Sequence, residues 1–276
     1  MSKEIALTVF QARAGDHNDL AMPGAAAVGA MLAARLGLPA SVIGRPEPAL
    51  NSGWRSELDA ALPALRALAE HHAAILRRGA VPLTAATRCA VSLAMLPVVA
   101  SQRPDACVVW FDAHADFHTP HTSASGYLGG MVLAGACGLW DSGLGAGLAV
   151  GNVVLVGGRD IDPAEQALID AGTLRLVTAG AGLADELRRA IAGRPVYLHL
   201  DCDVLEPGIV PTDYRCTGGL SLAELGAACA VVAEHELVGV EIAEFEHAWQ
   251  AGGAPVSPAA LLDALRPLLE RLPAGA

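Results

Sequence analysis

Apolar residues follow two patterns that alternate along the chain. Short runs rich in Val, Ile and Leu, bounded by Gly, Pro, Asp or Asn, are typical of buried strands. Longer stretches carry apolar residues three or four positions apart, the spacing of a helix with one face on a core. The first pattern predicts strands over residues 5–10, 41–43, 81–84, 108–111, 153–156, 174–177, 196–200 and 237–241. The second predicts helices over residues 24–36, 54–78, 90–99, 164–171, 184–191, 222–234 and 258–272.

The alternation of strands and helices indicates an architecture. Helices that connect successive strands let those strands run parallel, and they cover both faces of the sheet. No internal repeat, low-complexity run or linker interrupts the order. The sequence therefore predicts one α/β domain over residues 1–276, with a mainly parallel sheet between two helical layers. In the helix over 54–78 we expect His71 and His72 to be partly exposed.

Composition narrows the class of protein. A chain of 276 residues, 53% of them hydrophobic, can bury a large core. The formal net charge of -11 argues against nucleic-acid and anionic-membrane partners. The first five residues contain no apolar signal region and no apolar run approaches a membrane span, which predicts a cytoplasmic protein. The six cysteines form no CxxC pair, so we expect reduced thiols.

Three potential metal ligands stand at alternate positions after the strand predicted over 108–111. In an extended chain, side chains two residues apart point the same way, so Asp112, His114 and Asp116 can converge while Ala113 and Ala115 leave room. Two carboxylates and an imidazole gathered at a strand end are poorly compensated without a cation. The spacing therefore predicts a divalent metal site.

A second strand ends in the same way. Asp201 and Asp203 follow the run over 196–200 and again share one side. Together with the first motif they supply more anionic ligands than one octahedral ion needs, which favours a pair of metals. The alternative is that the carboxylates are turn formers closing two strands. His199, deeper on the same side, is expected to be a core histidine with satisfied hydrogen bonds.

The ordered motifs of the chain resemble those of the arginase/agmatinase (ureohydrolase) superfamily. The residues that carry the resemblance are Asp112-Ala113-His114-Ala115-Asp116, Thr119-Pro120, Ser125-Gly126, Asp201-Cys202-Asp203 and Glu241-Ile242-Ala243-Glu244. A narrower resemblance, to the amidinohydrolases that act on Nω-hydroxy-L-arginine in D-cycloserine biosynthesis, rests on segments 89–94, 126–133 and 138–143. The resemblance implies a three-layer α/β/α fold with an eight-stranded parallel sheet. It also implies two manganese ions and hydrolysis of a guanidine or hydroxyguanidine by a metal-activated hydroxide.

The resemblance implies six metal ligands and exposes one departure from the family. Five are the carboxylates and imidazole already named, and the sixth, normally His, falls on Cys89. Thiolate is softer than imidazole and suits Mn²⁺ less, so one metal position is expected to be weak or empty. The alternative is that Cys89 is an ordinary buried thiol. Arg88, where the family has Asp, either points away to pair with an acid or lowers metal affinity.

The resemblance also implies roles in the reaction. Asp116 is both a ligand and the carboxylate placed to pass a proton to the leaving amine. Glu244 aligns with the residue that holds the guanidinium, and the alternative is a solvated glutamate after the strand. The remaining predicted substrate contacts are His118, Ser123 and Ser125 for the α-carboxylate and Asp162 for the α-ammonium. Asp160 and Glu165 could equally be helix N-terminal acids.

A missing imidazole bears on the choice of substrate. Gly129 stands where arginases and agmatinases have a loop His, so the proton relay of those enzymes is absent. A hydroxyguanidine needs less help than arginine, because its N–OH group makes the carbon easier to attack. The leading hypothesis is thus hydrolysis of Nω-hydroxy-L-arginine to hydroxyurea and L-ornithine. The alternatives are another ureohydrolase of the arginase, agmatinase or formimidoylglutamase type, or a catalytically silent homologue. An oligomer is possible.

Overall fold

The computed structural model describes residues 4–272 and contains one eight-stranded sheet in which every pairing is parallel. The strands are β1 (Ile5–Phe10), β2 (Ala40–Ile43), β3 (Val81–Ala85), β4 (Cys107–Phe111), β5 (Val153–Val156), β6 (Arg175–Val177), β7 (Val196–Asp201) and β8 (Leu237–Ala243). Their order across the sheet is β2-β1-β3-β8-β7-β4-β5-β6. The predicted eight-stranded parallel sheet is confirmed.

Helices connect the strands and cover both faces of the sheet. They are α1 (Ala21–Leu36), α2 (Trp54–Arg77), α3 (Ser92–Gln102), α4 (Val132–Ala136), α5 (Pro163–Asp170), α6 (Leu183–Ile191), α7 (Leu222–Val232), α8 (Ala259–Ala264) and α9 (Arg266–Leu269). Strand β4 shows why two helical layers form. Val109 and Phe111 pack into a core shared with α1, α6 and α7, whereas Val108 and Trp110 pack into a second core with α2 and α3. The predicted three-layer fold is confirmed.

Two local predictions are wrong. The single helix predicted over 258–272 is two short helices, α8 and α9, because Pro267 lacks a backbone N–H and its ring disfavours a continuous helix. His72 is only 1% exposed rather than partly exposed. It lies four residues after Leu68 and seven after Leu65, which places it on the buried face of α2.

Other predictions from composition can be compared directly. All six cysteines are free and four of them are buried, as expected for reduced thiols. Across residues 4–272, no helix combines the length and apolar character needed to cross a bilayer. Residues 1–3 and 273–276, which belong to the predicted domain and include part of the N-terminal stretch, lie outside the described residues. The one-domain prediction for 1–276 stays a prediction.

The parallel arrangement brings the candidate residues to one edge of the sheet. The neighbours β3, β8, β7 and β4 all end there, with Ala85 beside Ile242, Asp201 beside Ala243 and Phe111 beside Leu200. Segments that follow these strands therefore meet. In parallel α/β sheets, ligands bind at this carboxyl edge.

Candidate active site

The chain turns sharply where β4 and β7 end, and the aspartates make both turns. Asp112 Oδ1 accepts a hydrogen bond from the His114 backbone N–H at 2.7 Å, and Asp201 Oδ1 accepts one from the Asp203 N–H at 2.7 Å. Asp116 has a φ of 54°, in the left-handed region that few non-glycine residues adopt. Turn formation by aspartate is thus real, and Asp116, Asp201 and Asp203 line one pocket while Asp112 is fully buried beside it.

Five side chains meet at this edge, and we call them the ligand cluster: Asp112, His114, Asp116, Asp201 and Asp203. His114 Nδ1 lies 3.2 Å from Asp112 Oδ1 and 3.0 Å from Asp203 Oδ2. Ligand atoms of these three residues all lie within 4.8 Å of one another. Neighbouring ligands of an octahedral ion bound at about 2.1 Å are about 3 Å apart, so this spacing fits a divalent cation.

Cys89 lies beside the ligand cluster. Its Sγ is 3.1 Å from Asp201 Oδ2 and 3.2 Å from His199 Nε2, and Cys89, Asp201 and Glu244 form a second group with ligand atoms within 4.8 Å. Burial, followed by the charge of Asp201, raises the pKa of the Cys89 thiol. The protonated thiol therefore donates to Asp201, and its role as a metal ligand stays a prediction.

The core histidine prediction is confirmed and has a structural reason. His199 is fully buried, stacks on the Trp110 ring at 3.5 Å between centroids, and has Nδ1 3.1 Å from Glu241 Oε2. The Trp110 indole N–H in turn donates to Asp112 Oδ2 at 2.9 Å. These buried contacts hold Asp112 and Cys89 from behind, as outer contacts of a metal site do.

The electrostatics of the ligand cluster fit a divalent cation. Burial, reinforced by neighbouring carboxylates, raises the pKa of Asp116, Asp201 and Asp203. Burial lowers the pKa of His114, but hydrogen bonds with Asp112 and Asp203 outweigh it and raise the pKa overall. Within residues 4–272, Asp116 Oδ2 is buried and has no hydrogen-bond partner. Buried carboxylates of this kind are stable when they coordinate a metal, so the residues present fit divalent ions.

Glu244 lines the pocket and is paired with Arg88, which lies behind the pocket wall. Glu244, with a φ of 63°, accepts from Arg88 Nη1 at 2.7 Å through Oε2 and from the Cys89 backbone N–H at 2.9 Å through Oε1. Arg88 also contacts Asp16 and Glu246, and we call these four residues the arginine cluster. Of the two options for Arg88, the structure shows pairing with acids. Glu244 is buried rather than solvated.

The predicted substrate-end residues divide into two sets. His118, Ser125 and Asp162 line the same pocket as the ligand cluster and Glu244. His118 Nε2 lies 2.9 Å from Asp162 Oδ2, so these two polar groups already contact each other. Ser123 is not in the lining. Its hydroxyl accepts from the Gly126 backbone N–H at 3.0 Å, a local turn contact.

The helix that follows Asp162 explains its neighbour Glu165. Asp162 is the N-cap of α5, and the Glu165 carboxylate accepts from the Asp162 backbone N–H at 3.2 Å in a capping box. The helix N-terminal interpretation therefore holds for Glu165. Asp160 accepts from the Cys216 thiol at 3.2 Å, and both Asp160 and Glu165 line the pocket.

An aromatic rim around the pocket escaped sequence reasoning. Tyr127 and Tyr214 line the pocket with ring centroids 5.6 Å apart, and the His17 ring lies 4.6 Å from Tyr127. Tyr214 comes from an irregular loop whose sequence has no periodic signal. Tyr127 also closes the space at Gly129, where an added Cβ would come within 2.5 Å of the Tyr127 ring.

Comparison with known proteins identifies this arrangement. The Arginase family model matches residues 9–260, which is most of the chain. The chain belongs to the arginase family. The Nω-hydroxy-L-arginine amidinohydrolase of Streptomyces lavendulae is 40% identical over 266 residues, which cover 96% of this chain and 97% of that protein. This arginase-family member is thus a hydrolase that acts on amidine C–N bonds.

Solved structures agree on the fold of this arginase-family chain. The arginase of Entamoeba histolytica in complex with L-ornithine superimposes with a TM-score of 0.82 at 20% identity, covering 98% of this chain and 99% of that one. The arginase of Bacillus caldovelox gives 0.80 at 24% identity, covering 97% and 98%. At these identities the likeness shows the fold alone.

Proposed function

We propose that the protein hydrolyses Nω-hydroxy-L-arginine to hydroxyurea and L-ornithine with bound manganese. The observation that carries the proposal is the 40% identity to the Streptomyces lavendulae enzyme over 96% of this chain. The pocket supports it, because every member of the ligand cluster except Asp112 lines the same space as the buried Glu244. Cytoplasmic location and a place in D-cycloserine biosynthesis stay predictions.

Two Mn²⁺ ions would be held by the ligand cluster together with Cys89. The chemistry they supply when bound is Lewis-acid activation of water near neutral pH. The position next to Cys89 is the weaker one in this proposal, because a soft thiol with a raised pKa must lose its proton before it can bind.

Asp116 and Glu244 carry the protein's part of the reaction. Glu244 lies in the pocket beside Cys89 and Asp201, where its carboxylate holds and orients the guanidine carbon. Asp116 Oδ2 is a buried carboxylate oxygen without a partner in residues 4–272, and the pKa of Asp116 is raised by burial and by Asp112. It can thus carry a proton to the nitrogen of the leaving ornithine.

The α-amino-acid end of the substrate lies against His118, Ser125 and Asp162. All three line the pocket, and Asp162 is 61% exposed at its side chain, open to an ammonium group. Ser123 is left out of this assignment because its hydroxyl is used in the local turn. An α-amino acid is therefore favoured over agmatine, which has no carboxylate.

The filled space at Gly129 supports a hydroxyguanidine. With the Tyr127 ring where a side chain at 129 would lie, the pocket has no imidazole at that point. The Tyr127 hydroxyl is 3.4 Å from Glu244 Oε1, and burial followed by the Glu244 charge raises the pKa of Tyr127. A neutral phenol does not replace the imidazole relay at neutral pH, so the more reactive substrate is favoured.

A substrate panel tests the proposal. We expect ornithine release from Nω-hydroxy-L-arginine with Mn²⁺, slower release from L-arginine, and no reaction with agmatine or after chelation. Faster turnover of arginine would contradict the substrate assignment. A catalytically silent homologue would turn over none of the three and would not be stabilised by Mn²⁺.

A further inference from the structure

Arg88 places a permanent positive charge directly behind the pocket. Its side chain is 0% exposed, and it precedes Cys89 at the end of the β3 segment. It is not among the lining residues, so it reaches the pocket only through its neighbours. Because an arginine stays protonated in proteins, this charge is present at every working pH.

The Arg88 guanidinium is fixed by contacts on three sides. Nε donates to Asp16 Oδ1 at 3.0 Å, and Nη2 donates to Glu246 Oε1 at 3.1 Å and to Asn18 Oδ1 at 3.3 Å. Nη1 donates to Glu244 Oε2 at 2.7 Å. Charge-assisted hydrogen bonds in several directions keep the guanidinium in place when a ligand enters the pocket.

Glu244 is consequently a carboxylate that already accepts three hydrogen bonds. Oε2 accepts from Arg88, and Oε1 accepts from the Cys89 backbone N–H at 2.9 Å and from the Tyr127 hydroxyl at 3.4 Å. A second guanidinium would have to share this carboxylate with Arg88. It would then lie within several ångströms of a like charge in a partly desolvated pocket.

We propose that Arg88 is a specificity-determining positioning residue that biases the pocket toward a weakly basic hydroxyguanidine and against the arginine cation. The inference rests on the proposed function. An N–OH group withdraws electrons and lowers the basicity of the head group, so hydroxyarginine can enter without its charge, whereas arginine cannot. Neutral N–H and O–H donors still hydrogen-bond to Glu244, but they avoid the repulsion from Arg88.

The test compares the two substrates in matched variants of the Mn²⁺-loaded full-length protein. The readouts are the ratio of kcat/KM for hydroxyarginine to that for arginine, and the corresponding ratio of Kd values from calorimetry. In Arg88→Met we expect both ratios to shift toward arginine by about tenfold, as for removal of one like charge nearby. Arg88→Lys, which keeps the charge, should stay within about threefold of the wild type.

Asp16→Asn is the matched control, since it disturbs the same buried contacts and keeps the cation. Its ratios should stay at the wild-type values or move toward hydroxyarginine, because loss of the Asp16 carboxylate leaves the Arg88 charge less compensated. Unchanged ratios in Arg88→Met, or a shift toward arginine in Asp16→Asn, would overturn the proposal. If Arg88→Met does not fold, the double variant Arg88→Met/Asp16→Asn must still shift toward arginine relative to Asp16→Asn.

A measurement on the wild type needs no variant. The titration of groups in the free protein affects both Kd values equally, so it cancels in their ratio. Between pH about 7 and about 9 the ratio should move in favour of hydroxyarginine, because arginine keeps its proton over this range. A constant ratio would contradict the proposal. Failure of turnover with both substrates would instead overturn the proposed function and leave the Kd test intact.

Discussion

Two groups of buried acids lie side by side at the carboxyl edge of the sheet and are neutralised in opposite ways. In the arginine cluster, Asp16, Glu244 and Glu246 surround one buried guanidinium with contacts of 2.7–3.1 Å. In the ligand cluster, the His114 imidazole pairs with only two of the four aspartates, Asp112 and Asp203, and Asp116 Oδ2 has no partner in the part of the chain that is described. One group carries its own cation, and the other is built to receive one.

The way each group of acids is neutralised bears on whether it supports mainly the fold or mainly the reaction. A buried charge is tolerated only when it is paired, so Arg88 makes the first group a fixed part of the fold. A cation taken from solution can instead coordinate water as well as protein, which a guanidinium cannot do. Changes at Arg88, Asp16 and Glu246 should therefore alter stability and specificity, while changes in the ligand cluster, or at Glu244 where the arginine cluster meets the pocket, should alter activity.

The largest expected effect is on the stability of the metal-free protein. Arg88→Met leaves three buried carboxylates unpaired and should lower the free energy of unfolding by about 3–5 kcal/mol. Asp201→Asn removes one of several like charges, keeps an acceptor for the Asp203 N–H, and should cost far less or stabilise. Urea unfolding with a chelator present measures both, and equal losses would break the comparison.

Activity, unlike stability, should be more sensitive to changes in the ligand cluster than to loss of Asp16 from the arginine cluster. Asp112→Asn should lower kcat/KM for hydroxyarginine by more than about 100-fold, beyond the loss usual for residues that only support a ligand. Manganese content after dialysis should fall with it. Asp16→Asn is the control, since it removes a carboxylate of the arginine cluster and should retain bound manganese. Loss of metal in Asp16→Asn would show that the two groups are not separable.

Added manganese should stabilise the protein in a pH-dependent way. At about 100 times its Kd, Mn²⁺ should raise the free energy of unfolding by about 2.7 kcal/mol. The raised pKa values of Asp116, Asp201 and Asp203 mean that protons compete with the metal as the pH falls. The stabilisation should therefore shrink below neutral pH. Unfolding midpoints with and without Mn²⁺ at several pH values check this, and a gain on acidification would contradict it.

His72 shows a third way to accommodate a buried ionisable group, which is to stay neutral. Burial lowers its pKa to about 3, against 6.5 in the unfolded chain. The folded state thus rejects a proton that the unfolded state binds, and stability present above pH 6.5 is lost as the pH falls toward 3. His72→Phe should make this decline shallower by about 1.4 kcal/mol per pH unit. Urea unfolding of the wild type and of His72→Phe at several pH values measures this. An unchanged slope of stability against pH would refute the lowered pKa of His72.

The sequence predicted those features whose signals are local. Alternation after a strand identified Asp112, His114 and Asp116, and parallel pairing then placed Asp201 and Asp203 beside them. The helix break at Pro267 and the buried position of His72 also have local causes in the sequence, but neither was predicted. Apolar spacing alone takes no account of the missing N–H of a proline or of a polar residue on the buried face of a helix.

Other features depend on contacts between distant segments. Arg88 meets Asp16 and Glu246, 72 and 158 residues away, so only the folded chain shows that its charge is compensated. The local contact of Ser123 with the Gly126 N–H was not predicted from the sequence, and the role of Ser123 toward the substrate stays a prediction. Tyr214 enters the rim from a loop without a periodic pattern, which no spacing rule describes.

The central claim is tested most directly by anomalous scattering from crystals grown with manganese. We predict a difference peak at the manganese edge between Asp112, His114 and Asp203, a weaker one toward Cys89, and none between Asp16 and Glu246. A map without a peak in the ligand cluster, or with its strongest peak in the arginine cluster, would contradict the account.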